Sequence, residues 1–129
     1  MPFKKVWESH GVVATWYGDV IDEELLRYAQ SVHASPEFDT LRYSLLDFRN
    51  CTGITFSHDN MEYIAALDEV AFSRVKNIFE IKVAVVTQRD DVISMVKEFV
   101  SENLSPCNFQ IFSNIEHANL WLERCGFID

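Results

Sequence analysis

The residue types that could do chemistry gather in one stretch. Asp47, Arg49 and Asn50 come first, Cys51 follows, and Ser57 and His58 stand a few residues on. A carboxylate two residues from a guanidinium can close a local ion pair, or it can orient a ligand or a partner's polar group. A serine at a helix start can cap the helix through its oxygen. It can also carry a phosphate in the favourable field of the positive helix end, although Asp59 would oppose that charge. Cys51 would be reactive if exposed near a helix start, and a small apolar filler if buried. The four histidines, His10, His33, His58 and His117, fall on four different segments without partners at metal-ligand spacing, so neither a metal nor another cofactor is expected. The glycines are four and scattered, which leaves no phosphate-cradling loop. No nucleophile, base and orienting group can be assembled into a set. The expectation is a protein that binds, not an enzyme.

These residues need a scaffold. Leu41–Phe48 reads as a buried strand ending near Asp47, followed by a loop, Arg49–Phe56, and a long helix from Ser57 to about Phe79. Loops at the carboxyl ends of strands are where open α/β sheets usually meet ligands and partners. The set Asp47, Arg49, Asn50, Ser57 and His58 is therefore the candidate regulatory or partner loop. The helix repeats Met61, Ile64, Leu67, Ala71, Val75 and Ile78 at helical spacing, with Tyr63 also read as core. Phe72 and Phe79 lie off this stripe or at its end. If the helix lifts off the sheet as a lid, with Gly53 in its hinge, Met61, Ile64, Phe72 and Phe79 would line a pocket for a small apolar ligand.

The rest of the chain supplies the sheet. Lys4–Ser9 and Val12–Tyr17 flank His10-Gly11 as a β-hairpin, with Gly11 at the turn and Gly18-Asp19 ending the second strand. The first strand, carrying Lys4, Lys5 and Glu8, reads as a charged edge. Asp22, Glu23 and Glu24 open a helix, as acids suit its positive end, and Ile21, Leu25, Tyr28, Ala29 and Val32 form its stripe. Glu37–Thr40 is a polar link. Ile81–Thr87 is continuously apolar from Val83 to Val86, as in a parallel strand covered on both faces. Asp90-Asp91 start a helix with Val92, Met95, Val96, Phe99 and Val100 on one side. Pro106 precedes an alternating edge strand, Cys107–Phe112. The last helix opens on a capping box, Ser113 to Glu116, shows Ile115, Ala118, Trp121 and Leu122 to the core, and ends at Gly126. The order β-β-α-β-α-β-α-β-α predicts a mixed, mostly parallel sheet with helices packed on it, in a single domain spanning residues 1–129.

Composition narrows the partners. Twenty acids against eleven Lys and Arg give a formal charge of −9, which repels phosphate backbones and anionic bilayers, so neither nucleic acid nor membrane is an expected partner. Three unpaired cysteines, no CxxC pair, no apolar run of signal-peptide length and none long enough to span a bilayer read as a cytoplasmic protein with reduced thiols. An apolar strip along the first strand or the last helix would suit a homodimer.

Three segments carry a resemblance: WYGDVIDEELL after the hairpin, the strand pair LRYSLLDFRN and IKVAVVT, and the ending IFSNIEHANLWLE. With the element order, they resemble the STAS domain of bacterial anti-sigma-factor antagonists, and most of all the SpoIIAA-like proteins. That resemblance implies a non-catalytic regulatory or protein-interaction domain. In such antagonists the loop after the Asp-ending strand leads to a phosphorylated serine in an Asp-Ser-Ser-Gly-like sequence. The comparable place here reads Thr55-Phe56-Ser57-His58, which puts Ser57 near the family's phosphorylation position. By analogy with lipid-carrier folds, the SpoIIAA-like branch also suggests a pocket for a small hydrophobic molecule.

Overall fold

The computed structural model describes residues 2–74, 80–102 and 107–124. Its elements run β1 (Phe3–Trp7), β2 (Gly11–Ile21), α1 (Asp22–His33), β3 (Tyr43–Thr55), α2 (His58–Ser73), β4 (Ile81–Val86), α3 (Asp90–Glu102), β5 (Cys107–Phe112) and α4 (Ile115–Arg124), with a 3-10 turn at Pro36–Thr40 between α1 and β3. One five-stranded sheet holds the strands in chain order; β1 is antiparallel to β2 and every other pair is parallel. The mixed α/β architecture, the leading hairpin and the edge positions of β1 and β5 follow the sequence expectation.

Sequential order explains the layering. Each crossover from β2 to β5 steps to the next strand in the same direction, so connections of one hand place α1, α2 and α3 on one face. There Val12, Ala14 and Trp16 of β2 and Val83 and Val85 of β4 meet Leu25, Met61, Ile64, Met95 and Val96 in the larger core. Helix α4 covers the opposite face, where Ala118 and Leu122 pack on Tyr43, Leu45, Ala84 and Val86. The β4 strand is buried on both sides, which its unbroken apolar run anticipates.

Several boundaries differ from the expected ones. Gly11 begins β2 and is not a turn residue; a Cβ there would stand 2.3 Å from the Tyr43 ring, so it is small because the neighbouring strand's ring crosses it. Gly18, at φ +65°, lies inside β2, between two irregularities of register with β3, and does not end the strand. Beyond it β2 continues to Ile21, with Asp19–Ile21 pairing with Gly53–Thr55, while Tyr17 and Gly18 pair with Asn50 and Cys51. Arg49–Thr55 is thus the second half of a thirteen-residue strand and not a loop. The strand begins at Tyr43 and not Leu41, which is buried at the close of the 3-10 turn. That turn replaces the expected polar link, and its Phe38 is anchored against Phe72 and His33. Ile21 flanks α1 as its exposed N-cap residue and is not on the buried stripe. On α2 the buried positions are Met61, Ile64, Ala65 and Phe72, so Phe72 belongs to the stripe, whereas Tyr63 is exposed. Val100 of α3 is exposed too. Asn114, not Ser113, caps α4, accepting from the His117 N–H at 2.9 Å. Val75, Ile78, Phe79, Pro106, Cys125 and Gly126 lie outside the described residues.

Candidate functional site

Two places hold the candidate residues. The first is the carboxyl end of the parallel strands. Asp47 is buried on the α4 face, and Arg49, itself exposed, reaches back to it. The guanidinium donates to both carboxylate oxygens at 2.9 and 2.8 Å, and the Arg49 backbone N–H adds a third bond at 3.0 Å. Burial works against the Asp47 charge, but the Arg49 side-chain and backbone hydrogen bonds and its positive charge outweigh it and hold the carboxyl below its ordinary pKa. The pair is a closed local fork. Nearby, Cys51 is buried and donates to the Gly53 carbonyl at 3.2 Å, and burial above all pushes its thiol up. Both features oppose a reactive thiolate.

Ser57 and His58 stand on the other face, where α2 begins. Ser57 is the N-cap residue, and its oxygen accepts from the Asn60 N–H at 3.1 Å. The Asp22 carboxylate at the start of α1 accepts from the Ser57 N–H at 3.0 Å and from the Asn60 side chain at 2.8 Å. The hydrogen bond from Asn60 first, and those from Ser57 after it, hold the Asp22 carboxyl below its ordinary pKa. His58 pairs with Glu98 of α3 and lies 3.4 Å from Glu62. The starts of α1 and α2 are therefore tied by polar side chains, and His58 links α2 to the second half of α3. Asp91, at the start of α3, makes a separate tie to β3 by accepting from the Ile54 N–H at 3.2 Å while Arg89 forks onto it. Asp47, Arg49 and Asn50 thus share an end of the sheet with Ser57 and His58 but belong to two separate hydrogen-bonded groups. Among the described residues no cluster of three or more His, Cys, Asp or Glu could hold a metal ion, and no described helix is long and apolar enough to cross a membrane.

The second place is a cavity of about 120 Å³ between the sheet and helices α1–α3. Met61, Ile64 and Phe72 of the expected pocket set line it, and Phe79 lies outside the described residues. Sequence reasoning missed its polar members. His33 and Asp68 join α1 to α2 at 2.6 Å, each side chain 16% exposed. Tyr28 also lines the cavity; burial first, then the Asp68 charge, raises its hydroxyl pKa far above the ordinary value, against a hydrogen bond with Ser44. Trp16 lies in an aromatic cluster, stacked on Phe48 at 5.4 Å and tilted against Phe3 at 4.9 Å. Its indole Nε1 is buried and has no hydrogen-bond partner among the described residues. A signal for Asp68 was present in the sequence, because it falls on the same helical stripe as Met61, Ile64 and Phe72 and so carries a charge on a buried face.

No protein-family model matches the chain, and no curated protein matches it by sequence. Solved structures do match. The anti-sigma factor antagonist SpoIIAA in its unphosphorylated form aligns with a TM-score of 0.58 at 9% identity, over 98% of this chain and 99% of that one. The chain has a SpoIIAA-like fold. An uncharacterised Shewanella loihica protein with a SpoIIAA-like fold aligns with a TM-score of 0.52 at 16% identity, over 93% of this chain and 91% of that one. The SpoIIAA-like likeness covers the hairpin, the crossovers and α4 together, as the element order and the three sequence segments imply.

Proposed function

We propose that the protein is a non-catalytic regulatory domain that binds a protein partner across the carboxyl end of its sheet. The observation that carries this reading is the exposed Ser57 cap, tied to Asp22 in a fold shared with an anti-sigma factor antagonist. A partner seated on that end meets Arg49 and Asn50 on one side and Ser57 and His58 on the other. A phosphate added to Ser57 would bring strong negative charge against the Asp22 carboxylate and loosen the tie between α1 and α2, altering the surface the partner reads. The test is crosslinking with mass spectrometry in native cells, wild type against a chain carrying Arg49→Glu and His58→Glu. Crosslinks at this end that vanish in a folded variant support the reading. Partner capture unchanged by the variant refutes it.

A second reading has its own observation. The cavity between the sheet and α1–α3 is almost wholly apolar. A small apolar ligand seated there would leave water for an apolar surround, which favours binding. Native mass spectrometry of the freshly purified chain tests this: a reproducible small adduct supports it, and a bare chain that no small apolar compound stabilises counts against it.

A further inference from the structure

We infer that the cavity takes a small, uncharged, flat aromatic molecule of about benzene size, and that the rings in its walls make it prefer an aromatic ligand to a saturated one of the same bulk. The inference rests on the second reading above and deepens it.

Size comes first. An apolar cavity of about 150 Å³ holds a benzene-sized molecule. The space here, about 120 Å³, therefore suits a single five- or six-membered ring and not a full acyl chain. Charge comes next. Among the described residues no Lys or Arg lines the cavity, and its one carboxylate, Asp68, faces His33 at 2.6 Å. A fatty-acid carboxylate would find no cation there and would meet the negative charge of Asp68 instead. An ammonium group would have to compete with His33 for the same carboxylate. Either ion would also lose its hydration without replacement. Tyr28 and Ser44, also in the walls, bond to each other. An uncharged ligand without a strong polar group is what remains.

The rings then set the class. Tyr28 of α1, Phe38 of the 3-10 turn, Phe72 of α2, Phe99 of α3 and Phe109 of β5 all line the cavity. They come from different elements, so a ligand meets rings on more than one side. Four of them are already paired. Phe38 lies on Phe72 with centroids 4.8 Å apart, and Phe99 meets Phe109 edge to face at 5.5 Å. Each pair steadies its members, so the walls offer ring faces and edges in set orientations. An incoming ring adds tilted or edge contacts to them, and such contacts are worth more than the area they bury. Met61 and Met95 also line the space, and a thioether likewise favours an aromatic neighbour. A saturated ring of equal bulk gains the burial alone.

The test uses the full chain and two uncharged probes of similar bulk, benzene and cyclopentane. Each affinity is divided by that probe's partition coefficient from water into hexane, which removes the plain hydrophobic part. The methyl resonances of Met61 and Met95 are followed by 1H–13C spectroscopy, so that binding is located in this cavity. Benzene is expected to shift both methyl signals and to bind about two- to tenfold more tightly than cyclopentane on the corrected scale. The ratio should fall towards one in Phe72→Leu or in Phe109→Leu. Benzoate and benzylammonium at the same concentration should leave benzene in place, and displacement by either would overturn the exclusion of ions. If both uncharged probes bind with a corrected ratio of one or less, or if neither variant lowers it, the aromatic preference is overturned and the apolar cavity stands. If neither probe binds, or the methyl signals of Met61 and Met95 do not move, the cavity reading falls and this inference with it. Should the variants not fold, the corrected ratio in wild type decides alone.

Discussion

Replacing Ser57 separates a helix cap from a charge-sensitive joint. In Ser57→Ala the Asn60 N–H loses the oxygen that accepts it at 3.1 Å, while Asp22 keeps its bonds from the residue-57 backbone and the Asn60 side chain. A lost cap costs about 1 kcal/mol, and this one is exposed, so water can partly replace it. At roughly 2.1 cal/mol/K per residue, unfolding a chain of 129 residues carries an entropy near 0.27 kcal/mol/K. The alanine variant should then melt about 4 °C below wild type. Ser57→Asp keeps a capping oxygen and gains at the positive helix end, but sets its carboxylate beside that of Asp22. Two like charges about 4 Å apart cost between roughly 1 and 4 kcal/mol as the surroundings change from water-like to protein-like, which cancels or exceeds the gain. At low salt the aspartate variant should therefore melt below wild type, and added salt should raise it selectively. Thermal melts by circular dichroism at two ionic strengths measure all of this. An aspartate variant as stable as wild type at low salt would refute the placement of Asp22 against the start of α2.

Arg49→Ala strips the fork from a buried carboxylate; because Arg49 is half-exposed, the cost should be about 2 kcal/mol, less than for a fully buried pair, read by urea unfolding. Asp47 is held below its ordinary pKa, so the stability that the pair contributes is present above the unfolded pKa and disappears as pH falls through the lower folded value; wild type and Arg49→Ala should converge in acid and stay apart at neutral pH. Gly11→Ala forces a methyl into the Tyr43 ring and should cost about 1–3 kcal/mol by overpacking, in the same unfolding assay. Hydrogen exchange should find the amides of Cys51–Thr55 that face β2 protected well above those of the exposed turn Ser9–His10, since this segment is paired strand; exchange at open-chain rates there would refute the extended β3.

The layout was legible where one signal dominated. Acids followed by an apolar stripe marked α1, an unbroken valine-rich run marked β4, and alternation marked β5. The continuation of β3 was hidden because Arg49 and Asn50 look like a strand end, and Thr52-Gly53 looks like a turn. Only the matching extension of β2 past Gly18, a long-range partner, turns those residues into sheet. Phe72 was misplaced because the periodicity was counted through Leu67 and Ala71, whereas Phe72 stands about three turns after Met61 on the same buried face, where Phe38 of the 3-10 turn packs on it. Of the candidate site, the Ser57 cap was readable from local type, since capping needs only nearby atoms. The meeting of His33 with Asp68, and the unpaired indole of Trp16, depend on how three helices settle on the sheet, which no local pattern encodes.

The strands stand in the sheet in the order in which they are written along the chain. A ribosome releasing the chain from its amino end therefore delivers each strand beside one already emerged, and no strand waits for a later one to be inserted between it and its neighbour. Loops to be closed stay about the length of one helix, which keeps their entropy cost modest. The exception is α4: Tyr43, Leu45, Ala84 and Val86 have no helix over them until Ala118 and Leu122 arrive. A nascent chain stalled before Ile115 would present a nearly complete sheet with one greasy face bare, the form most exposed to chaperone capture or aggregation.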